Sequence, residues 1–351
     1  MKLEQVVLRP YALPLKQPWR AAHATLGERR GVLIGLFSQG LAGWGDCAPL
    51  PSFSGAQDRA DTFAALERAA QSLRGAALDE GLAGLAAIDN AQARWAVETA
   101  LRDLSARRDG LPLHRALGAA AASQVAVNAA AGPLDESCAS RVAAARQNGF
   151  DIVKIKVGLA DADEEARRLR ALASETAIRF RLDANRAWSE AEARRFLDAV
   201  ADLPIDGVEE PLAQPTLENL RRLQERCPFA LAIDESLFEL GPEKIFAARA
   251  TRRLVLKPAR IGGLAATLRL ARQAAAAGME VVITSVVDSA IGVAAAAQLA
   301  AALDPARAHG LATGPWLARD VAPPLPLRNG ALVLPDGPGL GLVPSGEFAE
   351  F

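Results

Sequence analysis

The chain has little with which to build a disulfide framework, a zinc site or a basic docking face. Its 351 residues include three cysteines, Cys47, Cys138 and Cys227, odd in number and far apart. They read as core or loop residues of a protein kept in a reducing cytoplasm. Three histidines, His23, His114 and His309, are scattered and make no zinc set. Forty basic side chains against 41 acidic ones leave a net charge of −1, which excludes the basic excess that nucleic acid or an anionic membrane requires. No apolar run reaches the roughly 18 residues of a membrane span. The opening MKLEQVVLRPYALPL is broken by polar residues and prolines and does not read as a secretory signal. Lysine is scarce: Lys2, Lys16, Lys154, Lys156, Lys244 and Lys257 are the only ones, and arginine supplies the remaining positive charge. Lysines retained inside apolar runs therefore point to what arginine does not do, which is to lose a proton.

Half of the residues are apolar, enough for a large core. Residues 1–56 read as strands and turns, with VVLRPYALPL and GVLIGLFS as β-rich runs and Gly40, Gly43 and Gly45 as punctuation. Helices are predicted over 57–77 and 88–108; the second carries Ala93, Val97, Ala100, Leu101 and Leu104 at helical spacing. Residues 109–118 read as a connection. From about 124 to 314, strands (QVAVNA, DIVKIKVG, IRFRLDAN, DGVEEP, FALAIDES, RLVLKPA, MEVVITS, HGLAT) alternate with helices such as 163–174, 189–201, 215–226 and 263–278. That alternation predicts parallel strands, and eight candidates favour a closed α/β barrel. In the Pro- and Gly-rich tail, Arg328-Asn329-Gly330-Ala331 signals a hairpin, and the tail is expected to return to the N-terminal region.

Five successive strand candidates end in ionisable residues: Lys154 and Lys156, Asp183, Glu209, Asp234 and Lys257. They recur at a step of about 25 residues, the length of one β/α unit. Each unit thus delivers charge to the C-terminal rim of the barrel, where this architecture builds its active sites. Lys154 and Lys156 share one strand face, as do Arg181 and Asp183. Adjacent Glu209 and Glu210 must point opposite ways, with Glu209 expected inward; in AIDES either Asp234 or Glu235 could point in, and Asp234 is the expected one. Three carboxylates converging in a low-dielectric mouth repel unless a cation joins them, and all-oxygen ligands suit Mg²⁺, with Mn²⁺ as an alternative. The lysines flank the metal strands and would face each other across the ion. Neighbouring positive charge lowers a lysine pKa toward that of a usable base. Metal and opposed lysines suit removal of the proton beside a carboxylate of a small-molecule substrate.

At these residues the sequence resembles the enolase superfamily in its muconate-lactonizing-enzyme-like subgroup, over nearly the whole chain. VKIKVG (153–158), DANRAW (183–188), VEEPL (208–212), AIDES (232–236) and VLKP (255–258) resemble the lysine, metal and opposing-lysine strands, and GWGDCAPLPSFS (43–54) a capping segment with Asp46 where relatives often carry Glu. The resemblance implies a modified TIM barrel, (β/α)7β, over 119–319. An α+β capping domain would be built from 1–118 and from 320–351 returning to it. RLDANRAW, TSVVDSAIG (284–292) and HGLATGPWLARDV (309–321) are most similar to the o-succinylbenzoate synthases, which implies dehydration of 2-succinyl-6-hydroxy-2,4-cyclohexadiene-1-carboxylate in menaquinone biosynthesis. Lys156 would then take the proton, Lys257 hold the dianionic intermediate and Lys154 sit beside the substrate carboxylate. Asn185, Gly262, Ser285 and Asp288 are candidate substrate contacts. Arg181 would position a carboxylate or water, or form a structural ion pair, and close helix packing is the alternative for Gly262–Gly263. The same lysines suit 1,1-proton transfer, as in N-succinylamino-acid racemases and dipeptide epimerases, and cycloisomerisation is a further option. A dipeptide epimerase would need an acid near the last strand, and HGLATGPW has none. His23, in the Gly/Arg-rich 20–31 stretch, is a candidate contact in a loop that would cover the barrel mouth. GPGLGL (337–342) reads as a turn, and Trp44 and Trp188 as packing. Oligomeric state is left open, with a homo-oligomer compatible with the sequence.

Overall fold

The structure, a computed structural model, describes residues 1–20, 25–50 and 59–349. His23 and the end of the 43–54 motif lie outside the described residues. The N-terminal layer is an antiparallel sheet in the order β1 (Gln5–Arg20), β2 (Thr25–Ser38), β3 (Leu41–Cys47). It is followed by α1 (Arg59–Leu73), α2 (Leu78–Ala83), α3 (Ala91–Arg108) and α4 (Leu113–Ala116). Asn90 caps α3 by accepting from the backbone N–H of Gln92 and Ala93. The expected stripe of α3 is buried, and so are Trp95 and Asp103 on another side. Gly43 and Gly45 are not punctuation but lie inside β3. A Cβ on Gly45 would stand 1.9 Å from the Ala96 carbonyl oxygen, so glycine lets α3 press directly onto the strand.

The second layer alternates strands and helices: β4 (Gln124–Ala126), β5 (Ala129–Pro133), α5 (Cys138–Gln147), β6 (Ile152–Lys156), α6 (Ala162–Ser174), β7 (Arg179–Asp183), α7 (Glu190–Ala199), β8 (Ile205–Glu209), α8 (Leu217–Arg226), β9 (Ala230–Ile233), α9 (Leu237–Leu240), α10 (Pro242–Ala248), β10 (Arg253–Leu256), α11 (Pro258–Ile261), α12 (Leu264–Ala276), β11 (Glu280–Ile283) and α13 (Ala290–Leu303). β5 to β11 form one parallel sheet in chain order. HGLAT closes the ring with single parallel bridges, Val127 to His309 on one side and Thr284 to Gly310 on the other. This is the expected (β/α)7β barrel, with the antiparallel sheet and helices above it as a separate capping layer.

The first barrel strand differs from the expected QVAVNA. That run splits at Asn128: β4 leaves the barrel and pairs with the tail, and the alanine-rich Ala129–Pro133, which carries little β signal, pairs with β6. The tail forms the hairpin β12 (Leu327–Arg328) and β13 (Ala331–Val333), turned by Asn329 (φ +48°) and Gly330 (φ +68°). It pairs with β4 first and only then reaches α3, where Leu340 N donates to Asp103 Oδ1 at 2.7 Å. Among the described residues no helix is long and apolar enough to cross a membrane.

Candidate active site

Strand register sets the rim. Lys156 pairs with Asp183 and Asp183 with Glu209, while Asp234 and Lys257 follow the last residues of β9 and β10. In an eight-membered ring β6 and β10 occupy the second and sixth places, so Lys156 and Lys257 stand on opposite walls. The strands between them supply Asp183, Glu209 and Asp234. Lys154 Nζ lies 2.8 Å from Asp183 Oδ2 and also meets Glu209 Oε2. Lys257 Nζ meets Asp234 Oδ2. All three carboxylates are buried.

Glu210 turns away from this cluster, as expected from its adjacency to Glu209. It adopts φ +46° and accepts from Asp234 N (2.7 Å), Ser236 N (2.8 Å) and Ser236 Oγ (2.6 Å), which fixes the backbone that carries Asp234. Glu235 lies at the same rim. Its Oε1 accepts from Asn185 Nδ2 at 3.2 Å, and burial together with the Asp234 charge pushes its carboxyl up to about 7. Asn185 also donates its backbone N–H to Asp183 Oδ1 at 3.1 Å, so it braces two carboxylates.

Electrostatics separate the lysines. Burial would lower the Lys154 pKa, but Asp183 and Glu209 outweigh it and hold the side chain as an ammonium. Lys156 moves the other way: burial lowers its pKa, Asp183 opposes the shift, and the Lys154 and Lys257 charges add to it. A lowered lysine pKa is the direction that general-base work requires.

The donor set fits a hard divalent cation, because the converging side chains offer oxygen only. Among the described residues no three His, Cys, Asp or Glu side chains already stand at metal-binding spacing. Lys154 and Lys257 pair with these carboxylates.

Other candidates separate into rim and scaffold. Arg181 is 1% exposed and lies one layer below Asp183. Its Nε donates to Asp206 Oδ2 and its Nη1 to Asn128 Oδ1 and the Ala308 carbonyl, each at 2.9 Å. That is the ion-pair alternative. Gly262 and Gly263 sit under α3: Arg94 Nε donates to the Gly262 carbonyl at 2.8 Å, Glu98 accepts from Ala265 N, and Cβ atoms there would collide with Arg94 and Glu98. They serve helix packing next to the turn that begins at Lys257. Ser285 Oγ lies 3.0 Å from Thr313 Oγ1 at the rim. Asp288 is buried beside Gly292 and Asp46 at the capping interface. Burial and the Asp46 charge push it up to about 7. His309 bonds Ile283 N and the Asp304 carbonyl, and His114 bonds Gln298, so both are structural. Trp188 stacks on Phe196. Sequence reasoning did not find the partners of Arg181, namely Asp206 and Asn128. Their only sequence signal is polarity at the opposite, N-terminal ends of barrel strands.

A barrel carrying opposed lysines and a carboxylate arc at its rim, beneath an α+β cap, defines a class of metal-dependent barrel enzymes. Residues 4–118 match the mandelate racemase/muconate lactonizing enzyme N-terminal domain and residues 137–348 the enolase C-terminal domain-like family. The chain therefore belongs to the enolase superfamily, in its muconate-lactonizing-enzyme-like subgroup. It is 28% identical to the L-Ala-D/L-Glu epimerase of Bacillus subtilis (strain 168), covering 98% of this chain and 97% of the relative. It is 30% identical to muconate cycloisomerase 1-2 of Acinetobacter lwoffii, covering 97% and 93%. The structure of a dipeptide epimerase from Enterococcus faecalis V583 complexed with Mg and the dipeptide L-Leu-L-Tyr superposes with a TM-score of 0.86 at 26% identity, covering 97% of this chain and 99% of that one. These relatives are isomerases by name.

Proposed function

We propose that this protein is a Mg²⁺-assisted racemase or epimerase that carries the proton on the carbon beside a substrate carboxylate from one face to the other. The observation that carries the reading is the placement of Lys156 and Lys257 on opposite barrel walls, with Asp183, Glu209 and Asp234 between them. Asp183, Glu209 and Asp234 would hold the metal, which when bound supplies positive charge for the substrate carboxylate and for the negative charge that develops as the proton leaves. Lys156, the amine with the lowered pKa, takes the proton from one face; Lys257 returns one from the other. Lys154 stays charged beside the carboxylates. The dipeptide epimerases among the relatives support this reaction class.

The substrate class follows from the rim. A dipeptide brings an α-ammonium that needs an acid partner. Residues 310–316, GLATGPW, contain none, and the nearby Asp320 carboxylate already accepts from Ala290 N and Val321 N. An N-acylated amino acid, neutral at that nitrogen, fits better. The absence of an acid from residues 310–316 equally favours a second reading, dehydration to o-succinylbenzoate with Lys156 as base. Incubation with N-succinylamino acids and Mg²⁺ in D₂O is expected to scramble the stereocentre and place deuterium on it in both enantiomers. Aromatisation of 2-succinyl-6-hydroxy-2,4-cyclohexadiene-1-carboxylate without such exchange would establish the second reading instead. No turnover in either assay would end both.

A further inference from the structure

The turn after β11, Ser285–Ser289, is held in a conformation its sequence disfavours. Val287 adopts φ +61°, a left-handed conformation that is a genuine outlier for a β-branched residue and persists only where the surroundings enforce it. The turn begins beside the catalytic lysine strand: Thr284 N donates to the Leu256 carbonyl at 3.0 Å, one residue before Lys257. Within the turn Val287 N donates to Ser285 Oγ at 3.2 Å; the other enforcing groups come from the capping sheet. Arg29 on β2 is 1% exposed and donates from Nε to the Val287 carbonyl at 3.0 Å, while its other nitrogens bond the Ala48 and Pro49 carbonyls. Asp46 on β3 accepts from Ser289 N (3.1 Å) and Ser289 Oγ (2.8 Å), and is itself held by the Tyr11 hydroxyl at 2.6 Å. The hydrogen bonds of this buried guanidinium go to three backbone carbonyls, while its charge acts on Asp46 and Asp288 only from a distance, so what the bonds secure is geometry.

We infer that Arg29 is a positioning residue: from the capping sheet it locks Val287 in its left-handed conformation and so fixes the pocket wall beside Lys257 that orients the part of the substrate remote from the reacting carbon. This rests on the proton-transfer reading for the identity of the pocket, but the lock itself does not. The test uses the full-length chain as wild type, Arg29→Met, Arg29→Lys, Val287→Gly and the double variant Arg29→Met/Val287→Gly. Amide hydrogen exchange over residues 285–290 is read first. Arg29→Met is expected to accelerate it about tenfold or more, Arg29→Lys less, and the acceleration is expected to shrink to under about threefold in the Val287→Gly background, where no strain needs holding. With N-succinylamino acids, KM in Arg29→Met is expected to rise about tenfold while kcat stays within about threefold. Equal acceleration in both backgrounds, or acceleration no greater at 285–290 than across the capping sheet, overturns the inference. If Arg29→Met does not fold, the Arg29→Lys and Val287→Gly pair decides by the same comparison. If the wild type turns over none of the substrates, the proposed function fails and the exchange data alone judge the lock.

Discussion

Two charged layers lie one above the other inside this barrel, and they use different cations. The lower layer is built on arginine. Arg181 and Arg253 converge on Asp206, and Arg253 and Arg307 share Glu280. Asp206 reaches the interior because the β7–β8 register shifts between Phe180 and Arg181 and leaves it the extra residue of a bulge. Burial would raise the Asp206 pKa, but the two guanidinium groups outweigh it and hold the carboxyl below its ordinary range. The upper layer is built on lysine against Asp183, Glu209 and Asp234. Guanidinium keeps its proton at any pH the protein meets, and its fork fixes geometry. An amine can be moved off a carboxylate by a metal and can lose its proton. Charge in a barrel interior is thus not by itself a sign of chemistry; the kind of cation and its depth decide.

Substitutions in the upper layer should have the largest effect. Lys156→Ala and Lys257→Ala should each cut kcat by about 10²–10⁴-fold, the usual worth of a general acid or base, with thermal unfolding in Mg²⁺ little changed. Substantial residual turnover would remove the lysine roles. The lower layer should answer in the opposite currency. Arg181→Met leaves Asp206 short of a partner and should cost about 3–5 kcal/mol of unfolding free energy, while kcat of the folded fraction stays within about threefold. A KM defect without a stability loss would return Arg181 to the substrate. Metal addition sharpens the contrast without any activity readout. Mg²⁺ at about 100 times its Kd should stabilise the wild type and Arg181→Met by about 2.7 kcal/mol, and Asp183→Asn far less. The smallest effect belongs to Asp288, a buried carboxyl facing Asp46 of the cap, where the Arg29 charge only partly offsets burial. Its folded pKa of about 7 lies well above the ordinary aspartate range, so the protein favours the protonated form, and stability is lost as pH rises toward and through 7. Asp288→Asn should flatten that fall by about 1–2 kcal/mol between pH 5 and pH 8. Parallel melting curves for the two proteins over that range would refute the assignment.

The rim was legible because an ionisable residue ending an apolar strand is conspicuous, and because the β/α repeat puts such residues at one level. The inward choice of Glu209 over Glu210 was legible from strand alternation, and the outward role of Glu210 as a brace for Asp234 was not, since it depends on a positive φ. Alternation gave Arg181 and Asp183 one face but not one depth: two residues along a strand are about 6.6 Å apart, enough to move Arg181 from the mouth into the packed interior. The first barrel strand was missed because AAAGP carries packing without β propensity. Gly262 looked like pocket lining because sequence order places it after Lys257, whereas the surface it meets belongs to α3, far away in the chain.

One consequence follows from where the primary amines stand. Three of the six lysines, Lys154, Lys156 and Lys257, share the barrel mouth, and burial lowers the pKa of Lys156, which favours its uncharged, nucleophilic form. The enzyme therefore carries its own covalent handle: a carboxylate-bearing acylating probe brought into the mouth would meet that nitrogen first, and would mark the pocket from within.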